Sequence, residues 1–150
     1  MNNLIALVLA AGEGKRMKSK YSKMVHKACG KQVINWVFDT VEKVGFSETI
    51  VIVGHGADQV KECLGDKYKY VLQKEQLGTG HAVMQAESLL RDREGLVFIL
   101  YGDTPLISPE TVNGAIENHR NSGCQATIVT AILDNPSGYG RIVRDLDGNV

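Results

Sequence analysis

Leu4-Ile5-Ala6-Leu7-Val8-Leu9-Ala10-Ala11, followed at once by Gly12-Glu13-Gly14-Lys15-Arg16-Met17, decides how this chain folds. An apolar run without polar alternation has no solvent face, so the pattern predicts a strand buried on both sides. Eight apolar residues are too few to span a bilayer. Met1-Asn2-Asn3 offers no positive flank, and the charged glycine segment follows directly, so a secretory leader is not expected either.

Similar short apolar, β-branched runs recur at Thr49 to Val53, Tyr70 to Leu72, Leu96 to Tyr101 and Ala126 to Leu133, and Gly140 to Arg144 reads as a further strand. Between them, Val33, Ile34, Val37, Phe38, Val41 and Val44 fall on one stripe of a helix, which Gly45 closes as a C-terminal cap. Ala57 to Leu64, Gly80 to Leu90 and Pro109 to His119 are further helices, the last with Ser108 as N-cap and Pro109 at its first position. Strands that alternate with helices indicate an α/β, doubly wound, Rossmann-like and mainly parallel sheet. Ligands then lie beyond the carboxyl ends of the strands. Asp147-Gly148 is a hairpin signal with no return strand before Val150, so a domain truncated at its C-terminal end is expected.

Composition narrows the function. Seventeen basic and 17 acidic side chains cancel, which leaves no basic excess for a nucleic-acid backbone. Three scattered cysteines form no Cys-x-x-Cys pair and read as reduced cytoplasmic thiols. The four histidines share no ligand spacing and read as structural or solvent-facing.

Chemistry should therefore sit just past the strands. The glycines at 12 and 14 let backbone N–H groups approach phosphate oxygens. The segment is not a P-loop, because Leu9 and Arg16 stand where Gly and Ser or Thr are needed, and Met17 replaces the third glycine of a dinucleotide fingerprint. Lys15, Arg16, Lys18, Lys20 and Lys23 follow as a triphosphate clamp. Gln73 to His81 reads Gln-Lys-Glu-Gln-Leu-Gly-Thr-Gly-His. The Gln73 amide carries an acceptor beside a donor and can pair with the O4 and N3–H edge of uracil or, flipped, with cytosine, leaving discrimination to backbone groups near Gly78. Tyr101-Gly102-Asp103-Thr104-Pro105 ends an apolar strand on one carboxylate, suited to a hard cation shared with phosphates. Taken singly, these are also a turn, a solvated face, a capped loop and an Asp in a turn.

The ordered set Leu-Ala-Ala-Gly-x-Gly, Gln-Leu-Gly-Thr-Gly-His-Ala, Tyr-Gly-Asp and Gly-Tyr-Gly-Arg-Ile resembles the sugar-1-phosphate nucleotidyltransferase family. Within it, the likeness is to the uridylyltransferase domains of bifunctional N-acetylglucosamine-1-phosphate uridylyltransferase/glucosamine-1-phosphate acetyltransferases, and it runs along the whole chain. The resemblance implies that Leu9, Ala10 and Gly12 contact the nucleotide, Arg16 and Lys23 its phosphates, and Gln73, Gly78 and Thr79 the uracil. It places Mg²⁺ on Asp103, and Tyr101, Gly102 and Gly140 on the sugar side. Lys15 stands where the family usually has Thr or Ser, and Ser22 where a Pro precedes the catalytic Lys. The implied partners are UTP and N-acetylglucosamine-1-phosphate, with no nucleic acid and no membrane. Residues 1–150 are expected to be the N-terminal and central part of the transferase domain. The rest of that domain and a β-helix acetyltransferase, on which a homotrimer would depend, are expected beyond it. Another thymidylyl- or uridylyltransferase, or a nucleotide-binding module without turnover, is the alternative.

Overall fold

The computed structural model describes residues 3–146, 148 and 150. The leading apolar run forms β1 (Asn3–Ala10), the centre of the molecule. A short hairpin of β2 (Lys27–Ala28) and β3 (Lys31–Gln32) leads into α1 (Val33–Val44). Then come β4 (Glu48–Val53), α2 (Ala57–Leu64), β5 (Lys69–Leu72), α3 (Thr79–Met84), α4 (Glu87–Leu90), β6 (Gly95–Tyr101) and α5 (Pro109–Ser122). The main sheet has four strands in the order β5-β4-β1-β6, and every pair in it is parallel.

Alternate β1 side chains feed two separate cores. Ala6, Val8 and Ala10 join Val51, Val53 and Leu100 beneath Ile34, Val37 and Phe38 of α1, Val60 of α2 and Val112 and Ile116 of α5. Ile5, Leu7 and Leu9 join Ile50 and Ile52 beneath Ala82 and Ala86 on the opposite face. Helices on both faces make the sheet doubly wound, as the continuous apolar strands predicted.

The ends of the helices follow local chemistry. Gly45 caps α1 in the left-handed region at φ 75°, and its N–H reaches the carbonyl of Val41. Ser108 caps α5 by accepting from the Thr111 N–H, with Pro109 in the first turn. Cys29, Cys63 and Cys124 are free thiols. Burial pushes the Cys63 thiol up, favouring its neutral form.

Three expectations are corrected. Residues 126–133 form no strand, and Ile128, Val129, Ile132 and Leu133 are exposed, because among the described residues no sheet edge takes up their backbone groups. The same holds for residues 140–144. A strand exists only within a ladder, and β-branched composition cannot supply the partner. The helix read over 80–90 is two short helices. Ala86 N–H bonds the Val83 carbonyl and Leu89 N–H the Ala86 carbonyl, so the chain tightens to i→i+3 bonding and restarts. Coverage is also uneven, since Val97, Ile99 and Tyr101 of β6 remain exposed on one face. The hairpin signal cannot be followed, because Asp147 lies outside the described residues.

Candidate functional site

Because the strands run parallel, the segments after β1, β5 and β6 emerge on one side of the sheet. The ladders extend one residue past the strand ends, with Gln73 N–H on the Val53 carbonyl at 2.7 Å and Gly102 N–H on the Leu9 carbonyl at 2.9 Å. Both residues are thereby held as firmly as the strands themselves. Gly102 sits in close approach there, since a Cβ would lie 3.1 Å from Met24 Sδ and 3.3 Å from the Leu9 carbonyl oxygen.

A cavity of about 330 Å³ opens at this place, lined by Leu9, Ala11, Gly12, Lys23, Met24, Gln73, Gln76, Gly78, Thr79, Ala82, Tyr101 and Asp103. Its floor is apolar and its walls carry one cation, one carboxylate and two primary amides, the usual makeup of a small-ligand site.

Lys23 is positioned from three directions. It opens a 3₁₀ turn, Lys23–Val25, whose N-cap Ser22 accepts from the Met24 N–H at 3.4 Å. Ser22 is fully buried, and its own N–H donates to Gln59 Oε1 of α2 at 2.8 Å. Gly14 packs on the Lys23 stem, where a Cβ would lie 3.0 Å from Lys23 Cβ, and its φ of +64° favours glycine. The ammonium then donates to Asp103 Oδ2. Asp103 is held by the turn behind β6, in which Thr104 Oγ1 donates to the Tyr101 carbonyl at 2.7 Å.

Gln73 is only 3% exposed. Its amide nitrogen lies 3.3 Å from the Gly78 carbonyl oxygen and 3.0 Å from His81 Nδ1. One amide proton is thus given to the Gly78 carbonyl, and the same nitrogen faces the His81 ring.

Of the residues the sequence singled out, Leu9, Gly12, Lys23, Gln73, Gly78, Thr79, Tyr101 and Asp103 line the one cavity. Ala10 and Gly102 lie buried behind its wall. Arg16 is exposed and outside the lining, and Gly140 is exposed in the segment after α5. Of the basic cluster, Lys23 alone lines the cavity among side chains the structure describes. Sequence reasoning missed Ala11, Met24, Gln76 and Ala82 in the lining, and Ser22, Gln59 and His81 as supports. Nothing in the sequence links Ser22 to Gln59 across 37 positions.

The sequence profile of the MobA-like NTP transferase domain matches residues 6–140. This chain belongs to that NTP transferase family. It is 53% identical over 150 residues to the bifunctional protein GlmU of Acetivibrio thermocellus, covering all of this chain and 32% of that protein. Against the bifunctional protein GlmU of Thermoanaerobacter pseudethanolicus the identity is 56% over 150 residues, covering all of this chain and 33% of the relative. The chain thus spans about a third of the length of the curated relatives it matches. A solved nucleotidyl transferase from Methanothermobacter thermautotroptrophicus (Mth528) superposes with a TM-score of 0.67 at 27% identity, covering 78% of this chain and 58% of that one.

Proposed function

We propose that the chain takes part in uridylyl transfer from UTP to N-acetylglucosamine-1-phosphate, giving UDP-N-acetylglucosamine and pyrophosphate in the cytoplasm for cell-wall precursors. The observation that carries this reading is the convergence of Lys23, Asp103 and Gln73 on one cavity of a transferase domain. The full-length identity to GlmU proteins supports the choice of substrates. Residues 1–150 are then the N-terminal and central part of a uridylyltransferase domain. The homotrimer and the acetyltransferase activity belong to a longer chain.

In this reading the base lies against Gln73, Gly78 and Thr79, the ribose and phosphates over Leu9, Ala10 and Gly12, and the sugar phosphate near Tyr101 and Gly102. Gly140 joins the sugar side only if its segment folds back over the cavity. The sugar-phosphate oxygen attacks the α-phosphorus in line and pyrophosphate leaves, so no protein nucleophile is needed. Two polyanions must be held at bonding distance, and positioning with charge neutralisation supplies the catalysis. Lys23 brings its positive charge to the α-phosphate from a stem fixed by Gly14 and Ser22. Arg16, on the exposed side of the loop, meets the outgoing phosphates.

The donor set at Asp103 fits Mg²⁺. It is one hard carboxylate on the cavity wall, and no cluster of three His, Cys, Asp or Glu ligands exists among the described residues. Phosphate oxygens and water would complete the shell, as is usual for Mg²⁺. When bound, Mg²⁺ supplies charge neutralisation to the leaving pyrophosphate. No helix of the described residues is long and apolar enough to cross a membrane.

The test is to follow pyrophosphate release with a panel of nucleoside triphosphates and sugar-1-phosphates, using this chain extended to the length of its relatives. UTP with N-acetylglucosamine-1-phosphate should be the fastest pair. Faster turnover with a different pair refutes the assignment.

A further inference from the structure

We infer that His81 is a positioning residue that sets which face of the Gln73 amide meets the nucleotide base. The inference rests on the reading of Gln73 as the base contact, and it deepens that reading. Gln73 Nε2 carries two protons, and two groups converge on it: the Gly78 carbonyl at 3.3 Å and His81 Nδ1 at 3.0 Å. Turning the amide over would place Oε1 against the Gly78 oxygen, acceptor facing acceptor, in a residue that is 3% exposed and has little water to turn to. The Gly78 carbonyl and the His81 ring together hold the nitrogen inward, and with the nitrogen so placed His81 must accept at Nδ1.

A neutral imidazole that accepts at one nitrogen carries its proton on the other. His81 Nε2 lies 3.1 Å from the Gln85 amide nitrogen, which also donates to the His81 carbonyl at 3.0 Å. Two amide nitrogens therefore face the two ring nitrogens, and the ring can accept from only one of them. Gln85 is half-buried and can swing its whole amide away from the ring into water, whereas Gln73, at 3% exposure, cannot. The ring settles as the Nε2–H tautomer with Nδ1 on Gln73.

The consequence is chemical selection. Gln73 offers the cavity an acceptor and no donor. It accepts from the N3–H of an imide base such as uracil and meets the N3 lone pair of cytosine with repulsion. Replacing His81 with an apolar side chain removes the second acceptor that holds the nitrogen, so the whole amide can leave Gly78 and turn its nitrogen toward the cavity to serve cytosine.

The test uses this chain with ¹⁵N-labelled histidine and glutamine. In the wild-type protein, Nδ1 of His81 should resonate as an unprotonated nitrogen and show a scalar coupling to Gln73 Nε2. His81→Leu should lower the ratio of UTP to CTP affinity by about tenfold, the value of one oriented hydrogen bond. His81→Asn, whose side-chain oxygen can stand in for Nδ1, should restore most of it. A protonated Nδ1, or His81→Leu binding with an unchanged UTP-to-CTP ratio, overturns the inference. A wild-type chain that shows the coupling yet binds UTP and CTP equally overturns the base reading of Gln73 beneath it.

Discussion

Lys23 and Asp103, 80 residues apart in the chain, meet as an ion pair on the wall of the cavity. Each comes from a turn fixed by its own backbone and side-chain hydrogen bonds, so the pair is assembled by the fold and not by a flexible side chain finding a partner. Both side chains keep partial access to solvent, at 28% and 37% exposure, which leaves them reachable by an incoming phosphate. If Asp103 is where Mg²⁺ is held, Asp103→Asn in a chain of the relatives' full length should lower turnover by roughly 10²-fold, the scale of losing a key electrostatic group. Steady-state kinetics at saturating Mg²⁺ checks it, and unchanged activity removes Asp103 from the metal site.

Gln73→Ala should weaken UTP binding by about 1 to 3 kcal/mol, because a base edge is then left unpaired in a desolvated place. Calorimetric titration of the chain with UTP measures it. An affinity equal to the wild type would mean that the base lies elsewhere.

Gly14→Ala should cost about 1–2 kcal/mol from the left-handed backbone alone. It should also shift Lys23, whose Cβ would lie 3.0 Å from the new methyl group. Chemical denaturation gives the first effect and UTP affinity the second. Gly140→Ala, with open space around it and no positive φ, should leave stability unchanged.

Glu48 begins β4 with Lys69 Nζ 2.7 Å from Oε1 and Arg93 Nη1 2.8 Å from Oε2. Lys69 first, and then Arg93, hold its carboxyl below the usual range against the opposing effect of burial. A folded-state value below the unfolded value of about 4.3 means that the stabilisation is complete above that pH and is lost as pH falls through the folded value. Glu48→Gln should therefore be less stable than wild type at pH 7, with the gap closing in acid. Urea denaturation across that range checks the sign.

The sequence made the centre of the fold legible where one local rule sufficed. The unbroken apolar run of β1 could only be a strand buried on both faces, the 3.6-residue stripe from Val33 to Val44 could only be one helix face, and Gly45 and Ser108 marked ends by their own chemistry. Legibility failed where a partner decides. Ile128 and Val129 have the composition of a strand but no ladder, and the helix restart at Ala86 depends on packing against the sheet. In the site, the glycines, Lys23, Gln73 and Asp103 were visible as unusual residues after strands. The supports were not, because Gln59 reaches Ser22 and His81 reaches Gln73 only after folding. The N–H that Ser22 gives to Gln59 is a donor that a proline at this position would lack.

The most direct test of the nucleotide site is to map UTP onto the chain by backbone amide chemical shifts, titrating with Mg²⁺ present. The account predicts perturbations concentrated at Gly12, Lys23, Gln73, Gly78, Thr79 and Asp103, with the face around Cys63 and Lys67 unmoved. Perturbations centred away from the carboxyl ends of β1, β5 and β6, or none at millimolar UTP, would contradict it.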